Sequence, residues 1–94
     1  MFFPASAKVV PVDIKEDAII VDVRSAREFT ANSNPASINI QLDELKVKMA
    51  LLDKDKTIIV CCASGRRSAA AAAILKQNGF KKVIDAGSWR NTLS

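Results

Sequence analysis

Thr57-Ile58-Ile59-Val60-Cys61-Cys62-Ala63-Ser64-Gly65-Arg66-Arg67-Ser68 is the stretch on which the fold turns. Residues 57–61 are uncharged and mostly β-branched, the strongest strand signal in the chain. The character then changes at once. Small residues, a glycine and two arginines lead into Ala69-Ala70-Ala71-Ala72-Ala73, a run of high helix propensity. A helix is expected over about 67–78, with Gly79 as its C-terminal cap. Cys62 therefore stands where a strand hands over to a helix. Cys61, at the end of the strand, is expected to face away from the loop, because strand side chains alternate.

The same alternation of elements extends outward. Ala18-Ile19-Ile20-Val21 is a continuous apolar run, read as a strand buried on both faces. A short helix over 25–31 follows, with Ser25 as N-cap and Glu28 completing a capping box. Asn32-Ser33-Asn34-Pro35 is a turn cluster, and Ile38-Asn39-Ile40 reads as a short strand. Leu42, Leu45, Met49 and Leu52 form the apolar stripe of an amphipathic helix. Asp53 to Lys56 is a charged turn, and Lys82-Val83-Ile84 is a last short strand. Upstream, residues 8–12 alternate weakly, and Pro11 confines them to an edge strand or an extended lead-in. Strands alternating with helices imply an α/β fold: a small parallel sheet with helices on both faces. We expect one domain over 1–94, with a lead-in at 1–12 and a core over 13–90. In such sheets ligands bind at the carboxyl ends of strands, where Cys62 lies.

The chemistry of that loop follows from its residues. A loop wrapped at a helix N-terminus points free N–H groups inward, and the helix dipole adds partial positive charge. A thiol at its centre acquires a lowered pKa, and the thiolate is the nucleophilic form. Gly65 permits the positive φ that lets successive amides converge. Ala63, Ser64, Gly65, Arg66 and Arg67 thus form a candidate substrate cradle, in which an arginine can grip an oxyanion bidentately. The plainer reading, a cysteine acting as a small buried hydrophobe, stands beside this one for Cys62 and is the preferred one for Cys61.

Composition narrows the classes. The 94 residues are 49% hydrophobic and 26% charged, an ordinary globular balance. There is no histidine, which removes Ser-His and Cys-His nucleophile pairs and most zinc sites. Neither a metal nor an organic cofactor is expected. The net charge of +4 favours small anions or acidic partners, whereas nucleic acid is disfavoured because basic and acidic residues are interspersed without an aromatic platform. No apolar run reaches the ~18 residues of a membrane span. Adjacent cysteines resist bridging, which suits a reducing compartment. A cytoplasmic setting is expected, the alternative being a periplasmic mature form whose signal has been removed. No long exposed apolar stripe calls for self-association, so a monomer is expected.

Several ordered segments resemble the rhodanese-homology domain family. Cys62-x-x-Gly65-x-Arg67-Ser68 after an apolar strand is similar to its active-site loop. Asp22-Val23-Arg24 with Glu28-Phe29, Pro35-Ala36-Ser37-Ile38-Asn39-Ile40, and Asn78-Gly79-Phe80 with Val83 are similar to its other signatures, in order, over about 18–89. The resemblance implies a sulfurtransferase whose Cys62 takes sulfane sulfur from a donor such as thiosulfate or a persulfide. The persulfide so formed passes its sulfur to cyanide or a thiol, and the loop of residues 62–67 has the length associated with sulfur transfer. Asp22, Arg24, Glu28 and Ser68 are read as structural support. The chain departs from the family pattern at Asn32-Ser33-Asn34, at Ala63, where a basic residue is frequent, and at Gly87-Ser88-Trp89.

Two other functions fit parts of the sequence. Cys61 and Arg67-Ser68 formally satisfy the spacing of a cysteine phosphatase, although Val60 precedes the cysteine and the glycine falls one place late. A non-catalytic module could also keep the fold. Lys46, Lys48, Lys54 and Lys56 are read as a solvated face, with docking of an acidic sulfur-relay protein as the functional alternative. Trp89 is either a core anchor or a cover at the edge of the mouth.

Overall fold

The computed structural model describes residues 18–93. The lead-in at 1–12, the start of the expected core and the weakly alternating stretch 8–12 lie outside the described residues. Among the described residues, four parallel strands form one sheet in the order β2-β1-β3-β4: β1 Ile19–Asp22, β2 Ser37–Asn39, β3 Thr57–Cys62 and β4 Lys82–Ser88. The two apolar runs singled out in the sequence, β1 and β3, take the central positions, where both faces are covered and continuous apolar sequence is required. Short β2 lies at one edge, where Ile38 is exposed.

Each connection carries a helix. Ser25 caps α1 (Ala26–Ala31) through the complete capping box with Glu28. The apolar stripe from Leu42 to Leu52, expected as one amphipathic helix, is instead a 3-10 turn, then α2 (Leu45–Lys48), then a second 3-10 turn: the stripe predicts which residues face the core but not a continuous α-helix. Leu45 and Leu52 from this segment enter the core, with Leu42 and Met49 packed against it. Helix α3 (Arg66–Gln77) ends at Asn78 and Gly79, where the Gly79 N–H donates to Lys76 O and the Phe80 N–H to Leu75 O. This paired closure needs a left-handed residue, and Gly79 supplies it with φ +90°. Burying an alanine face, Ala71 and Ala72 with Leu75, lets α3 sit close to the sheet.

The period-two rule divides the core. Val21, Ile58, Val60 and Cys62 point to one face and pack with Leu45, Leu75 and Phe80. Ile20, Ile59 and Cys61 point to the other and pack against Trp89, carried by a C-terminal 3-10 turn (Trp89–Thr92). Helical segments therefore cover both faces, that turn being the cover for the second face among the described residues. β4 runs four residues beyond the stretch read from sequence. Its register to β3 jumps from Val60↔Asp85 to Cys61↔Gly87, so Ala86 is an extra bulged residue. The bulge carries Gly87 alongside the loop that follows β3; a Cβ on Gly65 would lie 3.7 Å from Gly87 Cα.

Candidate active site

Strand order reverses direction between β1 and β3, since the chain leaves β1 toward one edge and reaches β4 at the other. The crevice of such a sheet opens at the carboxyl ends of those two strands. Cys62 is the last residue of β3, and Val23-Arg24-Ser25 leaves β1 beside it, tied by the Val23 N–H donating to Cys61 O at 2.9 Å.

The Cys62 side chain is fully buried under its loop. Its Sγ accepts from the Gly65 N–H at 3.0 Å and the Ser68 N–H at 3.3 Å, and lies 3.5 Å from Ser68 Oγ. Ser68 Oγ in turn donates to Gly65 O at 3.2 Å. Gly65, the N-cap of α3, has φ +104°. The space beside it would admit a Cβ, so backbone conformation rather than crowding calls for glycine. Burial alone would raise the Cys62 pKa. The Ser68 hydroxyl and the N–H groups of Ser68, Gly65 and Arg67 outweigh that effect and hold the thiol below its ordinary value.

Cys61 is the opposite case. Its thiol is buried on the other face among Ile20, Ile59 and Trp89. Burial, then the Asp22 carboxylate, pushes its pKa up to about 12 despite the opposing Arg24 charge. The Cys61–Arg67 spacing is thus not realised as a cradle. Adjacent cysteines of one strand occupy two different electrostatic environments.

The charged residues around the loop form two separate pairs. Asp22 and Arg24 are both buried, and Arg24 Nε and Nη2 donate to the Asp22 carboxylate at 2.7–3.1 Å. Arg24 Nη2 also donates to Asn32 O, and the guanidinium stacks 5.0 Å from the Trp89 ring. Further out, Arg67 donates from both terminal nitrogens to Glu28, at 2.7 and 3.1 Å. Glu28 also accepts from the Ser25 N–H. These bonds, Arg67 first, hold the Glu28 pKa down at about 2. Arg67, read from sequence as a substrate contact, is therefore joined by its guanidinium to α1, leaving its N–H to the sulfur. Ala63, Ser64 and Arg66 are exposed at the loop surface. Trp89 is buried in the second-face cluster.

Three contributors escaped the sequence reading. Asn39 donates to both Asp22 O and Arg24 O, fastening the end of β2 to the turn after β1. Gln41 Oε1 accepts from the Ala26 N–H. Asn34 donates to Thr92 O and Thr92 Oγ1, joining the turn cluster to the C-terminal turn. Asn39 sits in a quoted segment, but no pattern in the sequence links Asn34 to Thr92.

A parallel α/β sheet with a thiol at its switch point, ringed by backbone N–H groups, defines a class of domains that stabilise a sulfur anion at a helix N-terminus. Within that class, the chain belongs to the rhodanese-like domain family, whose model matches residues 8–91. A Bacillus subtilis (strain 168) protein named "Putative sulfurtransferase YtwF" is 33% identical over 72 residues, 77% of this chain and 70% of that protein. Among solved structures, a rhodanese-related protein of Thermoplasma volcanium is 38% identical with a TM-score of 0.74, covering 85% of this chain and 78% of its own. A rhodanese from E. coli, solved with anions, is 33% identical with a TM-score of 0.71, covering 79% of this chain and 89% of its own.

Proposed function

We propose that the chain is a sulfurtransferase that carries sulfane sulfur on Cys62 as a persulfide, in the manner of a thiosulfate:cyanide rhodanese. The observation that carries this reading is the set of N–H groups and the Ser68 hydroxyl around Cys62 Sγ, which favour a sulfur anion there. The same donors suit both the attacking thiolate and the persulfide anion it becomes.

The sequence of steps is short. The Cys62 thiolate attacks the outer sulfur of thiosulfate, forming a sulfur–sulfur bond to Cys62 while the S–S bond of thiosulfate breaks and sulfite departs with the electron pair. Cyanide or a thiolate then attacks the outer sulfur of the persulfide, and the Cys62 thiolate leaves. No external proton is required when donor and acceptor are anions, consistent with a site built from backbone donors and without histidine. Burial of Cys62 shields the persulfide from solvent. The surface lysines Lys46, Lys48, Lys54 and Lys56 are proposed to dock an acidic sulfur-relay protein.

Intact mass after brief incubation of the reduced protein with thiosulfate tests the proposal. One added sulfur atom, retained in Cys61→Ser and lost in Cys62→Ser, is the expected result. No gain in any form shifts the reading to another donor or to a binding module. Loss only in Cys61→Ser would place the chemistry on Cys61 and overturn the assignment to Cys62.

A further inference from the structure

β4 reaches the site by way of its bulge. Up to Val60↔Asp85 its side chains keep step with β3: Val83, opposite Ile58, packs with the first-face core, and Ile84, opposite Ile59, with the second. Continued alternation would put both Ala86 and Ser88 on the second face. The extra residue at Ala86 shifts the phase by one, so Ser88 comes opposite Cys62, and Trp89 packs with Cys61 on the second face. Paired residues of a parallel ladder point to the same side, so the Ser88 side chain stands on the face that carries the Cys62 thiol. It is half-buried, and it belongs to the segment Gly87-Ser88-Trp89 at which the chain departs from the family pattern. Ser88 Oγ accepts from the Arg90 N–H at 3.2 Å, capping the C-terminal turn. That bond uses a lone pair; the hydroxyl proton has no acceptor among the described residues. Cys62 Sγ meanwhile takes its own donors from Gly65 and Ser68.

We propose that Ser88 is a further catalytic residue, whose O–H donates a hydrogen bond to the outer sulfur of the Cys62 persulfide. The proposal rests on the sulfurtransferase reading and deepens it by naming a side chain that meets the transferred atom. Neighbouring strands lie roughly 4.8 Å apart, and a persulfide carries its outer sulfur about 2 Å beyond Sγ. An outer sulfur turned toward β4 therefore comes within reach of a hydroxyl on the residue paired with Cys62. That sulfur bears the charge of the persulfide anion, and a hydrogen bond to an ionised group is stronger than one between neutral groups. The resting thiolate, one bond further back, keeps its loop donors, so the Ser88 hydroxyl acts on the loaded state.

The test is an equilibrium. The protein is brought to balance with mixtures of thiosulfate and sulfite, and the ratio of persulfide to free Cys62 is read by intact mass for wild type, Ser88→Ala, Ser88→Thr and Ser88→Asp. Ser88→Ala is expected to move the balance about 10-fold toward the free thiolate. Ser88→Thr keeps the hydroxyl and should return the balance close to wild type. Ser88→Asp keeps an acceptor for the Arg90 N–H but has no proton to offer, and should load no better than Ser88→Ala. The alkylation rate of unloaded Cys62 against pH should coincide in wild type and Ser88→Ala. An unchanged balance in Ser88→Ala overturns the proposal and leaves the persulfide chemistry standing. So does loading of Ser88→Asp at the wild-type level, which would trace the Ser88→Ala loss to the cap of the turn. An alkylation profile that moves as far as the loading balance also overturns it, by placing the hydroxyl on the resting sulfur. A wild type that takes up no sulfur overturns the sulfurtransferase reading and the proposal together.

Discussion

At the residue scale, Cys62 and Cys61 show how little of a thiol's character belongs to the thiol. They are neighbours on one strand, and both are sealed from solvent. One meets N–H and O–H donors and has its pKa lowered; the other meets apolar side chains and a carboxylate and is raised to about 12. The Ser68 hydroxyl is the adjustable member of the donor set. With Cys62 as a thiol, S–H can donate to Ser68 Oγ while Ser68 donates to Gly65 O, and ionisation lets Ser68 turn its proton to the sulfur. Ser68→Ala removes that bond and keeps the N–H donors. Its alkylation rate plotted against pH should move to higher pH than wild type, and Ser68→Thr should move back. An unshifted Ser68→Ala profile would show that the backbone alone sets the ionisation.

Between elements, the Glu28–Arg67 pair links the first turn of α1 to the start of α3 and so holds the turn after β1 against the loop after β3. Glu28 has a folded pKa of about 2 against an ordinary 4.5. Its stabilising contribution is therefore complete above pH 4.5 and lost as pH falls toward 2. The carboxylate is over a third exposed, which limits the contribution to about 0–1 kcal/mol. Thermal midpoints of wild type and Glu28→Gln should differ by a small amount near neutral pH and converge by pH 2. A gap that persists undiminished at pH 2 would trace the effect to the cap of α1 rather than to the ion pair.

Across the whole molecule, charge is placed by depth. The Asp22–Arg24 pair is buried between the sheet and Trp89, whereas Lys48–Glu44 and Lys81–Asp55 lie at the surface. Removing one partner of a buried pair leaves the other charged without solvent, which costs about 3–5 kcal/mol; surface pairs contribute about 0–1 kcal/mol. Arg24→Ala is accordingly expected to lower stability several-fold more than Lys48→Ala in urea unfolding. Comparable losses in the two variants would mean that water reaches Asp22 once Arg24 is gone. The Arg24 effect should also carry to the site, since Asn39 and Asn32 hold the same turn through its backbone and guanidinium.

Local patterns were sufficient for much of this architecture. The apolar runs of β1 and β3, the Ser25–Glu28 capping box and the Gly79 cap each encode their element within a few residues, because propensity, periodicity and capping act over one or two turns of chain. The opposite facing of Cys61 and Cys62 was legible for the same reason: strand alternation is a property of adjacent residues. What depended on tertiary structure joins residues far apart in sequence. The choice of Glu28 as partner of Arg67 spans 39 positions, and the Asn34–Thr92 junction spans 58. The bulge at Ala86 follows from the fit of β4 to β3, not from any signal within β4. Which of the two adjacent arginines is paired is decided by where α1 comes to rest beside α3, since an ion pair forms only between charges that the fold brings within reach.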